Sequence, residues 1–515
     1  MNTGKNDRSR TTEVNSPIHS ADWRLSAPPR TGWFPSLDQS QPRGLWVAWG
    51  LVLFAAVWLT HLSLTNLTPP IDNIEQLNWV RSLQWGYYKH PPLPTWLIWL
   101  PTRFFGANAW TSYVTGAVCT LGAIGLLWCL LARLRGQVYA TVAMLAVLCI
   151  TYYNARLFLY NHNTVLALLS TLCAVLCWKA CTGTRQGWWV ALGVALGLGL
   201  MAKYQFAVTL ACVLVFWLTQ RGWRQTHQRR GLLLATLIAL LMFLPHLHWL
   251  RTHDYGPVQY ALGSSLTAHL DMAHRLGAVV RWLVDQLLNR ALPAWLLLAV
   301  GVLALRGLPV QRIRSEAMAP RRGAGRDLLL CWGFVPLMFV PLMVLFTGAN
   351  PQMHWGSPFL LFAVPAMMEL ASGRIAWRHV PLGGMLKIFV LIQLVLIALG
   401  QVTAATEREP LRARNWHNFD SGKLAKAVEA PALEALSGSS ICVVSGPFEM
   451  AGALALHLAN RPLVLIDGRY DISPWVVADR LKGCGLLQLL HGPVPPGATL
   501  AGPSFPGWSW RVVPP

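Results

Sequence analysis

The chain has 515 residues, 54% hydrophobic and only 12% charged, with a mean hydropathy of +0.41. Soluble domains carry roughly a quarter charged residues, so the composition excludes a soluble enzyme and indicates a polytopic membrane protein. The net charge of +21 does not point to nucleic acid: residues 1–44 carry +2 and the tail after Thr406 +1, leaving +18 in the apolar region. Most of that excess sits in short loops (Arg133/Arg135, Arg221 to Arg230, Arg306 to Arg326, Arg374/Arg378), the pattern of cytoplasmic loops.

Residues 1–44 are polar and contain Pro and Ser. They are unlike a signal peptide, and a disordered cytoplasmic arm is expected. Eleven apolar runs then follow at about 45–65, 107–132, 137–155, 158–180, 187–202, 205–220, 231–250, 280–305, 327–347, 357–373 and 381–402, each near the length of a spanning helix. With the N-terminus inside, every Arg-rich loop falls on the cytoplasmic side. Segments 66–106, 156–163, 202–205, 251–279, 348–356 and everything after about 403 then face outward. The 66–106 segment is too polar to span, and its Leu77, Trp79, Leu83, Trp85, Trp96 and Trp99 suit one or two interfacial helices. A second such helix is expected from Leu266 to Arg281. In the tail, SICVVS (Ser440 to Ser445) and PLVLID (Pro462 to Asp467) look like buried strands, with a helix from Phe448 to Asn460 between them. The expected fold class is an all-α polytopic membrane protein of about eleven helices, 45–402, followed by a small C-terminal α/β domain, 403–515. Eight of the ten cysteines lie in apolar runs, where Cys acts as a small hydrophobe. Cys442 and Cys484 lie in the tail, and spacing alone leaves open whether they pair.

Between Leu45 and Thr406 there are only eight carboxylates, and two of them, Asp72 and Glu75, lie three residues apart just after the first apolar run. Asp-x-x-Glu after Pro69-Pro70 fits a capping box with Asp72 as N-cap. It equally fits a catalytic pair whose carboxylate acts as general base toward a hydroxyl. The same segment ends in Trp85, Tyr87, Tyr88, Lys89 and His90, before Pro91 and Pro92. Lys89 and His90 are two candidate cations for a phosphate or for lipid headgroups. Lys203 ends the run GVALGLGLMAKYQF on the face opposite the Arg-rich loops, a cation placed against the orientation bias; the small residues before it suit close helix packing. Tyr160-Asn161-His162-Asn163 either caps a helix or contacts ligand, and His354-Trp355 is either an interface anchor or a sugar and phosphate contact. A divalent ion shared by Asp72, Glu75 and Asn163 through oxygen ligands is compatible with these residues, though the spacing does not demand it.

Asp72 followed thirteen residues later by WGYYKHPPL resembles the first outer loop of glycosyltransferase family 39, the bacterial membrane enzymes related to protein O-mannosyltransferases and to the lipid A aminoarabinose transferase. NHNTVL, GLGLMAKY, PHLHWL, HWGSP and, in the tail, FEMAGALALHLANRP add matches in the expected order. The resemblance covers roughly residues 45–480. It implies the GT-C fold and inverting transfer of a sugar from a polyprenyl-phosphate carrier to lipid A, a polysaccharide or a protein, on the periplasmic face of a bacterial inner membrane. Asp72 is then the signature acid, with Glu75 beside it as second catalytic candidate. Tyr87, Tyr88, Lys89, His90, Asn161, Asn163, Lys203, Tyr204 and His354 are candidates for substrate and phosphate binding. The sequence departs from the family at Asn73, where the second acid usually stands, and at Asn163, where an Asp is common; these departures put a metal in question. A transporter or flippase of lipid-linked sugars is the rival reading, disfavoured because the polar residues gather at one face and no repeat is visible. A non-catalytic scaffold is a third.

Overall fold

All eleven apolar runs fold as helices in a computed structural model that describes residues 43–266, 268–305, 323–407, 416–477 and 483–515. In chain order these begin with α1 (Arg43–Thr65), α2 (Ile71–Trp79), α3 (Leu93–Phe105), α4 (Ala109–Arg135), α5 (Gln137–Leu148), α6 (Thr151–Asn154), α7 (His162–Thr182), α8 (Gly187–Ala202) and α9 (Ala207–Thr219). They continue with α10 (Thr226–Thr252), α11 (Gly256–Ala261), α12 (Met272–Val284), α13 (Leu292–Ala304), α14 (Ala324–Thr347), α15 (Ala363–Ala371) and α16 (Leu382–Glu407). The tail holds α17 (Ser421–Ala435), β1 (Ile441–Gly446), α18 (Phe448–His457), β2 (Leu463–Ile466), β3 (Gly485–His491), β4 (Thr499–Leu500) and β5 (Trp508–Val513). The N-terminal arm up to residue 42 and most of the Arg306 to Arg326 loop lie outside the described residues.

By length and composition six helices, α1, α4, α7, α10, α14 and α16, are fit to cross a bilayer. The stretch from Met272 to Ala304 bends by 54° and makes a seventh if counted as one span; four shorter apolar helices occupy the remaining positions. The protein is thus a multi-pass membrane protein, with a number of crossings smaller than eleven unless the short helices also span. One boundary differs from expectation. Instead of an interfacial helix ending at Arg281 and a span beginning at 280, α12 starts at Met272 and runs through a π turn to a break at Ala291. The Asp271 side chain caps its start by accepting from His274 N at 3.0 Å, and Pro293 opens the next helix.

The glycines before Lys203 act in packing. A Cβ on Gly193 would lie 2.8 Å from the Ala235 carbonyl oxygen, and one on Gly197 3.3 Å from Ala239 Cα, so α8 and α10 meet along facing small residues four apart. This close seam fixes where α8 ends, and with it Lys203.

The tail sheet has the order β2-β1-β3-β5-β4, with β1 parallel to both neighbours and β5 antiparallel to β3 and β4. The strands and helix expected there agree with β1, β2 and α18 to within a few residues. A Cys442–Cys484 disulfide ties β1 to the residue before β3. The sheet's hydrophobic core does not stop at the tail: Val443, Val444, Leu454 and Leu487 share it with Trp79 and Tyr87 of the first loop. Helix α18 rests on α2 so closely that a Cβ on Gly452 would lie 2.5 Å from Asn78 and 2.6 Å from Ile74. Residues 48–515 form one compact unit.

Candidate active site

Helix α2 begins two residues earlier than a capping box with Asp72 as N-cap requires. Pro70, with φ −51°, stands at its N-cap and no side chain caps it, so Asp72 lies inside the first turn. The expected Asp72/Glu75 capping box is therefore not formed. Asp72 is instead presented sideways: its Oδ2 accepts from Asn161 Nδ2 at 2.7 Å. Its place in the first turn suits a negative charge. Asn73, wholly buried, bolts the helix in place. Its Nδ2 donates to Ser112 Oγ at 2.9 Å and to the Phe158 carbonyl at 2.8 Å, and its Oδ1 accepts from Tyr160 N at 2.9 Å. The side chain that departs from the family pattern thus fastens α2 to the chain entering α7.

Glu75 points elsewhere. It is 4% exposed and pairs with Lys89 Nζ at 2.8 Å, while Lys89 lies 4.0 Å above the Phe448 ring of the tail. Burial pushes the Glu75 carboxyl up to about 7, against the pull of Lys89. Burial acts downward on Lys89 too, but there Glu75 prevails and holds the ammonium above its ordinary value. At 2.8 Å the two form a salt bridge in which the carboxyl is the more enclosed partner.

Asn161 has two tasks. Its Oδ1 caps α7 by accepting from Asn163 N at 2.8 Å and Thr164 N at 3.2 Å, and Thr164 Oγ1 accepts from Asn161 N in return. Its amide nitrogen is left to hold Asp72. Two residues on, Asn163 Oδ1 accepts from Lys203 Nζ at 2.6 Å. Lys203 sits in the break between α8 and the turn Tyr204–Phe206, with extended backbone. Burial lowers its pKa to about 8, with Asp72 pulling it back upward.

These groups surround one cavity of about 660 Å³, within the range of small-molecule sites. Its lining includes Asp72, Lys89, Asn161, Asn163, Lys203 and Arg156, together with the apolar Ala207 and Val208 of α9 and Phe339, Val340 and Met343 of α14. Asp72 is the one carboxylate lining it among the described residues, against three cations. The imidazoles do not add charge. Burial, followed by the neighbouring His162, holds His90 well below its ordinary value, and burial with Lys203 behind it brings His354 down to about 3. His90, expected as a cation, is thus a neutral ring, 3.9 Å from that of His162. A cavity lined by both cations and apolar side chains suits an amphiphilic anion.

Of the residues singled out in the sequence, Asp72, Lys89, His90, Asn161, Asn163, Lys203, Tyr204 and His354 line this cavity; Glu75, Tyr87 and Tyr88 do not. Tyr87 stacks on Trp79 with ring centroids 4.4 Å apart and donates to the Ser82 carbonyl at 3.0 Å, so it belongs to the core beneath the sheet. The Tyr88 hydroxyl lies 3.5 Å from Glu75 Oε1. Tyr204 bonds His246 Nε2 at 2.9 Å, and His246 Nδ1 meets the Trp85 carbonyl at 2.6 Å, which ties α10 to the first loop. Arg156, Tyr152 and Tyr260 also line the cavity without having been singled out. The argument that marks Lys203, a cation in an outward turn, applies equally to Arg156. The oxygen donors considered for a metal do not converge. Glu75 faces Lys89, Asn163 Oδ1 faces Lys203, and among the described residues no three His, Cys, Asp or Glu side chains gather as metal ligands.

The profile of the dolichyl-phosphate-mannose-protein mannosyltransferase family matches residues 89–249. The lipopolysaccharide core galacturonosyltransferase RgtA of Rhizobium johnstonii is 26% identical over 372 residues, spanning 68% of this chain and 70% of that protein. The lipopolysaccharide core galacturonosyltransferase RgtB of the same organism is 26% identical over 332 residues, spanning 62% of this chain and 64% of that protein. Among solved structures, ArnT from Cupriavidus metallidurans in the apo state aligns with a TM-score of 0.57 at 14% identity, covering 91% of this chain and 98% of that one. ArnT bound to undecaprenyl phosphate aligns at 0.55 and 16%, covering 90% and 98%. The fold is therefore that of ArnT, as the first-loop resemblance implies.

Proposed function

We propose, for a chain that is a family-39-like membrane glycosyltransferase and not a transporter of lipid-linked sugars, that the Asp72 cavity is its active site. There it transfers a sugar from a polyprenyl-phosphate carrier to a hydroxyl acceptor with inversion. One observation carries this reading: Asp72 and Lys203 face the same cavity, each held by a neutral amide, Asn161 and Asn163, and so each keeps its charge for a ligand. The carrier's lipid lies along the apolar residues of α9 and α14, and its phosphate meets Lys203. Undecaprenyl phosphate bound to ArnT supports a carrier of this chemistry.

In the reaction, Asp72 accepts the proton of the acceptor hydroxyl as that oxygen bonds to the anomeric carbon. The bond between the anomeric carbon and the phosphate oxygen breaks on the opposite face, and its electron pair leaves with polyprenyl phosphate. Lys203 stabilises the charge gathering there, and Asn161 keeps Asp72 aimed. Glu75, paired with Lys89, takes no part in the transfer. The names of RgtA and RgtB support a lipopolysaccharide saccharide as acceptor, ahead of a protein. The arginine-rich loops support a bacterial inner-membrane protein with a cytoplasmic N-terminus, and the disulfide supports a periplasmic tail domain from about residue 403.

The test is release of polyprenyl phosphate from a panel of polyprenyl-phosphate sugars, with lipopolysaccharide as acceptor and purified full-length protein. Wild type turns over at least one donor, and Asp72→Asn, folded as judged by thermal unfolding, loses about 10³-fold in kcat. Equal rates in the two proteins remove Asp72 as base. Movement of intact donor across liposome leaflets, without release, refutes the transferase assignment.

A further inference from the structure

The cavity holds one cation more than this transfer uses. Lys89 is engaged by Glu75 at 2.8 Å, and Lys203 serves the phosphate. Arg156 remains. It lines the cavity with an exposed side chain, and among the described residues no carboxylate pairs with it. Four residues earlier, Tyr152 also lines the cavity. Tyr152 is 4% exposed and its hydroxyl is buried without a hydrogen-bond partner. A buried group left unpaired costs about 1–3 kcal/mol and is rare enough to need an explanation; a ligand oxygen in the cavity supplies one. Arg156 lies within electrostatic reach of both Tyr152 and His354.

We infer that Arg156 and the Tyr152 hydroxyl form a second anion subsite, which takes the carboxylate of a uronic-acid donor sugar. This rests on reading the Asp72 cavity as the donor site. Two cations of different kinds suit two anions of different shape. An ammonium is a compact point charge fit for a phosphate, whereas the planar guanidinium fork pairs a carboxylate through two parallel bonds. A uronate also brings a second negative charge into a cavity where Asp72 is already one, and the repulsion needs a local cation that neither Glu75 nor the phosphate has claimed. Arg156 meets that need, and Tyr152 donates a further hydrogen bond to the carboxylate. Two relatives named as galacturonosyltransferases agree with this chemistry.

The experiment uses the full-length protein and two soluble probes, galacturonic acid 1-phosphate and galactose 1-phosphate, competing with polyprenyl-phosphate donor and, separately, binding without turnover by calorimetry. Wild type binds the uronate probe at least about tenfold more tightly, the effect of one charge-assisted hydrogen bond. Arg156→Gln brings the two probes within threefold of each other, Tyr152→Phe narrows the gap by a smaller factor, and Asp72→Asn keeps the gap while losing turnover. Equal binding of both probes to wild type, alongside Asp72-dependent turnover of a neutral donor, overturns the subsite and leaves the transferase standing. An Arg156→Gln protein that weakens both probes equally places Arg156 on the phosphate. One that raises only the acceptor KM places it on an acceptor anion. Either result also overturns the inference. Absence of binding and of turnover with any donor fails both readings together.

Discussion

Two lysines near α2 meet their partners in opposite ways, and the contrast separates reagent from structure. In the seam between the first loop and the tail sheet, Lys89 faces Glu75 directly, charge against charge, roofed by Phe448. In the cavity, Lys203 and Asp72 are each tied to an asparagine. A charge consumed by an opposite charge holds the fold; a charge oriented by a neutral amide stays available to a substrate. Two residues of one helix, Asp72 and Glu75, three positions apart, thus belong to two different regimes.

If that division is right, removing the cavity charges costs rate, whereas removing the seam charges costs stability. The largest expected effect after Asp72→Asn is Lys203→Met, which should lower kcat/KM by about 10²-fold or more with little change in unfolding temperature. A variant that unfolds early but turns over normally per folded molecule would move Lys203 into the structural class. Next, Glu75→Gln leaves the Lys89 ammonium buried and unpaired and should cost about 3 kcal/mol of stability, read by thermal or denaturant unfolding. The double variant Glu75→Gln/Lys89→Met should recover much of that loss. Should Glu75→Gln instead abolish turnover in well-folded protein, Glu75 would rejoin Asp72 as a catalytic group. Asn161→Ala should cost about tenfold in kcat through loss of aim, with donor KM nearly unchanged; a pure KM effect would make Asn161 a binding residue. The mildest probe is pH. Lys203 carries its charge below about 8 and loses it above, so kcat/KM should fall along an alkaline limb near pH 8. Lys203→Arg should carry that limb beyond the measurable range, and an unchanged limb would exclude Lys203 as its source.

The sequence displays the cavity better than the seam. Asp72 and Lys203 stand out because acids are scarce in this chain and outward cations run against its charge bias, both visible without coordinates. Arg156 obeys the same rule and is overshadowed by the Asn-His-Asn cluster that follows it. Tyr152 has no signal at all, since a tyrosine in an apolar run looks like core until its hydroxyl is found unpaired. Tyr87, by contrast, looks like a ligand contact because its neighbours are polar; only the fold shows it stacked on Trp79. The capping box fails for a local reason, because Pro70 starts the helix where the motif places its preceding loop. Asn73 looks like a degraded acid and is instead a three-way hydrogen-bonded bolt, a role that depends on partners 39 to 87 residues away.

Because Trp79 and Tyr87 lie in the hydrophobic core of the tail sheet, and Gly452 admits α18 onto Ile74 and Asn78, the tail is not a detachable module. Exchanging it between homologues would transplant half of the foundation beneath Asp72. Chimeras cut near residue 403 would inherit a misplaced Asp72 unless the segment 71–92 travels with the graft.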